Sequence, residues 1–218
     1  MASLPAYQWD ARSGRYRNAQ TGKYVKRQVL IDLVDANTDE VSNRLIKLTT
    51  AVHEGRLAPS VWLEQVKTEV KRLHIQNRAL GAGGIDRLTP NDYSSIGGTL
   101  SSEYRHLGDF AAELPKLSLP QALSRVNMYV GSARKQFWKA EGSTLQQDPE
   151  SVIIERRTLG KADHCPDCVA YYDQGWQLQG VLPDPGEGSV CGSNCRCTKQ
   201  RKQVTQSGVD KWIGTKRA

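Results

Sequence analysis

His164-Cys165-Pro166-Asp167-Cys168 and its return, Cys191-Gly192-Ser193-Asn194-Cys195-Arg196-Cys197, hold all five cysteines of the chain; the first 164 residues contain none. Cys165 and Cys168 have the spacing at which a tight knuckle turns two thiolates toward one point. Cys191, Cys195 and Cys197 offer three more sulfurs after an excursion through residues 169–190. Two such half-sites joined by a small hairpin supply the tetrahedral sulfur set that a closed structural zinc site accepts. The expectation is a C-terminal module stapled by Zn2+, because a segment this small and polar does not hold its loops by packing alone.

Working outward, the chain has 218 residues, 38% of them apolar and 24% charged, a composition that supports a folded core with a polar surface. No apolar run approaches the ~20 residues of a membrane span, so no membrane partner is expected. The first ten residues show no charged-then-apolar signal pattern. In a reducing cytosol, clustered cysteines read as metal ligands before disulfides. The net charge of +7 is concentrated at the ends. Six Lys/Arg face Asp10 in residues 1–27, and seven face Asp210 in residues 196–218, with a slightly acidic stretch between. Basic ends suit an anionic neighbour, nucleic acid or an acidic protein face, and suit equally a solvated tail.

Residues 7–27 contain an echo, Ser13-Gly14-Arg15-Tyr16-Arg17 and Thr21-Gly22-Lys23-Tyr24-Val25. It reads as an arm or loose hairpin presenting Tyr7, Trp9, Tyr16 and Tyr24 to bases, to a partner groove, or to the protein's own body. Apolar positions Val34, Val41, Leu45, Leu48 and Val52 predict a long helix ended by Gly55, with Asn37-Thr38 as a place to bend. A second helix is expected from Ser60 as N-cap, with Trp62, Val66, Val70, Leu73 and Leu80 inward, stopped by Gly81-Ala82-Gly83-Gly84. Helices this long suggest a two-helix hairpin or a stalk in need of partners. Thr89-Pro90-Asn91-Asp92 opens a third, interrupted at Gly97-Gly98, and Ser118-Leu119-Pro120 a fourth that stops near Gly142. Beyond Gly142-Ser143 and Gln146-Gln147-Asp148-Pro149 the pattern turns to strands: 152–159, 175–182 and 195–204, with one helical turn at 169–172.

The expected fold is therefore mainly α, a long-helix region followed by a small cysteine-rich α+β module. It divides into a basic and aromatic arm (1–27), a helical domain (28–142), the zinc-binding module (143–204) and a loose basic tail (205–218) carrying Trp212.

The order Arg156-Arg157, Cys165-Pro166-Asp167-Cys168, Gly175-Trp176, Pro185-Gly186, Asn194-Cys195-Arg196-Cys197 resembles the head-morphogenesis family of tailed phages, the Mu F-like minor head proteins. The layout matches over about residues 90–200, and its specific part is the last 45 or so. The family's usual ending is His-Pro-x-Cys-Arg-Cys; here Cys191 stands one residue upstream of that histidine's place. The resemblance implies a structural protein of the virion head, present in multiple copies. It would associate with portal and capsid proteins, act in assembly or in DNA packaging and ejection, and pass through the host cytoplasm on the way. The alternative is a zinc-stapled nucleic-acid-binding protein, against which the 169–174 segment, without Lys or Arg, counts.

Five sulfurs compete for four zinc positions. Cys165 and Cys168 are the surest pair. On an extended strand Cys195 and Cys197 point to opposite faces, so the reading pairs Cys191 with one of them and leaves one thiol spare. His164 reads as a neighbour of the site rather than a ligand, and Glu155 as solvated or paired with Arg156 and Arg157. No catalytic role is expected: His53, His74 and His106 lie in helical segments without an orienting partner, and Gly81-Ala82-Gly83-Gly84 lacks the Lys-Ser/Thr of a phosphate loop.

Overall fold

A computed structural model describes residues 7–145, 150–160 and 163–215. The residues 1–6 of the expected arm, Gln146–Pro149 of the expected boundary, and Lys216 and Arg217 of the tail lie outside the described residues. The chain is mostly helical, with strands at its start and in its C-terminal region.

Helix α1 (Arg27–His53) buries Leu30, Ile31, Val34, Val41, Leu45 and Val52 at three- and four-residue spacing. It runs unbroken through the expected bend at Asn37-Thr38, and the Thr38 hydroxyl, buried on the packed face, is satisfied by donating to the Val34 carbonyl at 2.6 Å. Helix α2 (Pro59–Ala82) has Ala58 as its N-cap and Pro59 at its first position, so Ser60 lies inside the helix rather than capping it. Gly83 ends it in the left-handed conformation (φ 80°). Helix α3 (Pro90–Glu113) begins with a capping box between Thr89 and Asp92. It also continues through Gly97-Gly98, where an added Cβ would meet nothing within 4 Å. Both glycines lie on its open side, while Ile96 and Leu100 keep the buried face continuous. The expected fourth helix is two, α4 (Leu119–Ser132) and α5 (Arg134–Leu145), with Ala133 between them.

Helix α2 packs against α1, α3 and α5, and α1 also packs against α4. The long helices thus find their partners within the chain. Trp62 anchors the core: it is fully buried, edge-on to Phe110 at 5.2 Å, and its indole N–H donates to Thr49 Oγ1 at 3.0 Å. Where α2 meets α5, a Cβ on Gly81 would stand 2.3 Å from the Phe137 carbonyl, so only glycine permits this approach.

The N-terminal segment is a three-stranded antiparallel sheet, β1 (Tyr7–Asp10), β2 (Arg15–Asn18) and β3 (Tyr24–Val25), laid on the body. Trp9 and Tyr16 pack with Leu30, Ile31, Leu80, Phe137 and Trp138. The Tyr16 hydroxyl donates to the Gly81 carbonyl at 2.8 Å. Of the three readings of this segment, packing on the protein itself holds for Trp9 and Tyr16, with Tyr7 against them, while Tyr24 stays exposed and bonds Asp10 within the sheet.

The C-terminal sheet has the order β5-β4-β6, all antiparallel, with β4 at Ser151–Thr158, β5 at Gln177–Leu178 and β6 at Thr198–Thr205. The tail is not loose as far as Thr215. A 3-10 turn spans Gln206–Lys211, Val209 is buried, and Trp212 sits edge-on to Trp176 at 5.9 Å. Lys202 Nζ lies 3.8 Å from the Trp212 ring centre, a cation–π contact that ties the turn to the sheet.

Candidate metal centre

Helix α6 (Pro166–Asp173) starts inside the first knuckle, with Cys165 as N-cap and Pro166 at its first position. The Val169 amide closes the turn on the Cys165 carbonyl at 3.2 Å, placing Cys165 and Cys168 on one side. Asp167 accepts from the Val190 amide at 2.8 Å and so draws the returning chain against the helix. Cys191 then enters a 3-10 turn, Gly192–Asn194, in which the Asn194 amide donates to the Cys191 carbonyl at 2.9 Å.

These two turns bring all five sulfurs into one buried cluster, with Cys168, Cys195 and Cys197 buried and Cys165 and Cys191 half-buried. The Sγ separations are 3.5 Å for Cys165–Cys191, 3.6 Å for Cys168–Cys191 and 3.7 Å for Cys168–Cys195. Sulfurs at ~2.3 Å from a tetrahedral zinc stand about 3.8 Å apart, so these edges fit such an ion. Two triads, Cys165/Cys168/Cys191 and Cys168/Cys195/Cys197, have all members within 4.8 Å of one another. The cluster could hold a metal ion, and an all-sulfur donor set is of the soft kind that zinc accepts. Cys195 and Cys197 do not diverge to opposite faces of a strand. Strand β6 begins only at Thr198, and the turn before it lets both thiols reach Cys168.

The electrostatics of the thiols follow from their crowding. A hydrogen bond from Cys197 holds the Cys195 thiol down to about 4 against the cost of burial, while the same bond pushes Cys197 well up. Burial raises Cys168 to about 12 and also raises Cys191. At Cys165 burial opposes ionisation, but hydrogen bonds from the Cys168 and Cys191 backbones outweigh it and the pKa falls. Packed thiols share charge this way when no cation is present; a divalent ion removes the conflict by binding several thiolates at once.

Charged side chains seat the module on the helices. Arg134, buried on α5, pairs with Asp35 at 2.6 Å and donates to the Cys195 carbonyl at 3.4 Å. Glu155 is fully buried, contrary to the expectation of a solvated or locally paired carboxylate. It accepts from Lys199 at 2.7 Å and Arg201 at 3.1 Å, across the β4–β6 pairing. Arg156 points to the other face, where it bonds Gln200 and lies over Trp176. Arg201 also reaches Glu141 at 2.9 Å, and Lys199 reaches Asp184 at 2.9 Å. Sequence reading missed this network. Its only signal was the two-residue spacing of Lys199 and Arg201, which puts both on one strand face.

Of the four histidines, His164 alone approaches a sulfur, with Nδ1 3.6 Å from Cys197 Sγ, among the described residues. His74 is buried in the bundle, its Nε2 3.2 Å from Glu103 and 3.5 Å from Ser132 Oγ. Carboxylate and hydroxyl address the same ring nitrogen, unlike a relay, which needs them on opposite nitrogens. No helix among the described residues is long and apolar enough to cross a membrane. Comparison with protein-family models, with curated proteins and with solved structures gives no match to this chain.

Proposed function

We propose that this chain is a structural minor head protein of a tailed phage. It docks on the portal or inner capsid surface and aids head assembly or the packaging and release of DNA. What carries the reading is the meeting of Cys165-x-x-Cys168 with Cys191, Cys195 and Cys197, in the residue order that resembles that family. The ion we assign is zinc, held structurally by these cysteines and supplying a fixed joint between strand and helix rather than a reacting centre. On this reading the chain carries no catalytic step, is present in the head in multiple copies, and reaches it from the host cytoplasm.

The basic surface supports an anionic neighbour. Arg12, Arg15, Arg17, Lys23 and Lys26 are exposed, and none forms an ion pair with another described residue. The nucleic-acid-binding alternative draws on the same cations. It is weakened because Trp9 and Tyr16 are buried, which leaves Tyr24 as the exposed ring of that segment, and because α6 has no Lys or Arg beside the cysteine cluster.

Co-expression with the portal protein tests the reading. The expected result is a complex of the two proteins that co-elutes on gel filtration. A chain that ignores the portal and binds DNA with a steep loss of affinity on adding salt would put the alternative in its place.

A further inference from the structure

Five sulfurs are one more than a single tetrahedral ion uses, and their arrangement says how the surplus is employed. A single ion needs four donors whose six mutual separations are all about 3.8 Å. Among the described residues no four cysteines lie within 4.8 Å of one another; two triads do, and the only member they share is Cys168. That cysteine is 1% exposed and lies 3.6 Å from Cys191 in one triad and 3.7 Å from Cys195 in the other.

We infer that the centre holds two divalent metal ions bridged by the Cys168 thiolate, one bound with Cys165 and Cys191, the other with Cys195 and Cys197. The inference rests on the zinc-staple reading above and changes its stoichiometry and ligand set.

His164 stands beside the second group of sulfurs without joining it. Its Nε2 donates to the Gly160 carbonyl at 3.0 Å, which leaves the lone pair on Nδ1. Nδ1 lies 3.6 Å from Cys197 Sγ but comes within 4.8 Å of no second sulfur of that triad, so it steadies the Cys197 thiol from beside the ligand set. The first ion's unshared ligands, Cys165 and Cys191, are half-buried, so water has access on that side to complete its coordination.

Charge favours the pair as well. One divalent ion with four thiolates carries two net negative charges and strands a fifth thiol in a buried cluster. Two ions with five thiolates carry one, and a smaller buried charge is the less costly.

Metal analysis of the intact chain purified from zinc-supplemented cells, followed by exchange into cadmium-113 for NMR, tests this. Two ions per chain and two cadmium resonances coupled through a shared sulfur are expected. Cys197→Ser should lower the count to one and abolish the coupling, with the helical circular dichroism unchanged. His164→Ala should shift one cadmium resonance and leave the other in place. One ion per chain with one resonance overturns the bridged pair while sparing the zinc staple; no bound ion removes both. Should the Cys197→Ser chain fail to fold, the wild-type cadmium spectrum decides alone.

Discussion

The helical bundle and the cysteine module are stabilised by different materials. In the bundle, Trp62, Val66, Val70, Leu73, Leu107 and Phe110 are all fully buried, and the interior is made of hydrocarbon. In the module, the largest fully buried side chains are Trp176, Arg157 and Lys199, joined there by Glu155 and three cysteines. Apolar packing is non-directional and tolerates local change. Buried ions and thiols are cohesive only when every partner is in place. The bundle should therefore fold without the module, and the module should not hold its form without metal.

Chelation tests that contrast most severely. Structural zinc contributes about 10–16 kcal/mol of apparent binding free energy in small domains, more than a module of this size gains from packing. Stripping the metal, or replacing Cys168 by Ser, should unfold residues 150–205 while leaving the helical circular dichroism nearly intact. Hydrogen exchange should show rapid loss of protection in β4 and β6 and retained protection in α1 and α2. Equal loss in both regions would mean that the two are one cooperative unit.

Two substitutions of comparable size should separate the regions by where the damage falls. Lys199 donates to Glu155 at 2.7 Å and to the Leu182 carbonyl at 2.6 Å from an almost solvent-free position. Lys199→Met leaves Glu155 and Asp184 short of a cation at an expected cost of about 3–5 kcal/mol, read as earlier metal release on heating. Glu155→Gln in the same chain should recover part of it. Trp62→Ala should cost about 3–5 kcal/mol as well, but in the helical transition, with metal release on heating unchanged.

A smaller effect is expected where the regions touch. Gly131 on α4 faces the turn Gly192–Asn194, and a Cβ there would stand 2.1 Å from the Ser193 carbonyl oxygen. That atom is backbone and cannot swing aside. Gly131→Ala gains about 1 kcal/mol in helix propensity and loses about 1–3 kcal/mol to overpacking. The net result should be a modest destabilisation, with faster metal transfer to a chelator as the turn lifts from the helix.

The same contrast explains what could be read from sequence. Hydrocarbon faces are periodic, so α1 to α3 and their inward residues were legible, and the cysteine window was legible because its spacing is local. The apparent breaks at Thr38 and Gly97-Gly98 misled because a polar or small residue does not end a helix whose apolar stripe persists on either side of it. Glu155 misled for the opposite reason. Its partners Lys199 and Arg201 are more than forty residues downstream, and only the β4–β6 register brings them alongside. Trp212 was assigned to a free tail because nothing near it in sequence announces Trp176 as its neighbour.

The mildest test lies at the start of α3. Thr89 and Asp92 form a reciprocal cap: the Asp92 amide donates to Thr89 Oγ1 at 3.2 Å, and Asp92 Oδ2 accepts the Thr89 amide at 2.9 Å and its hydroxyl at 2.7 Å. Arg78 adds a donor to Asp92 Oδ1 at 2.8 Å. Burial works against the charged carboxylate, but the Thr89 and Arg78 hydrogen bonds outweigh it and hold its pKa below the ordinary 3.8. A carboxyl depressed in the folded state stabilises fully above its unfolded value and loses that contribution as pH falls through the folded one. Thr89→Ala should cost about 1 kcal/mol near neutrality. Because the variant keeps fewer donors to the carboxylate, the gap between the two proteins should narrow below about pH 4 as Asp92 protonates. Thermal melts at pH 7 and pH 3 measure both numbers, and a gap that stays constant would show that the hydroxyl caps the helix without help from the carboxylate charge.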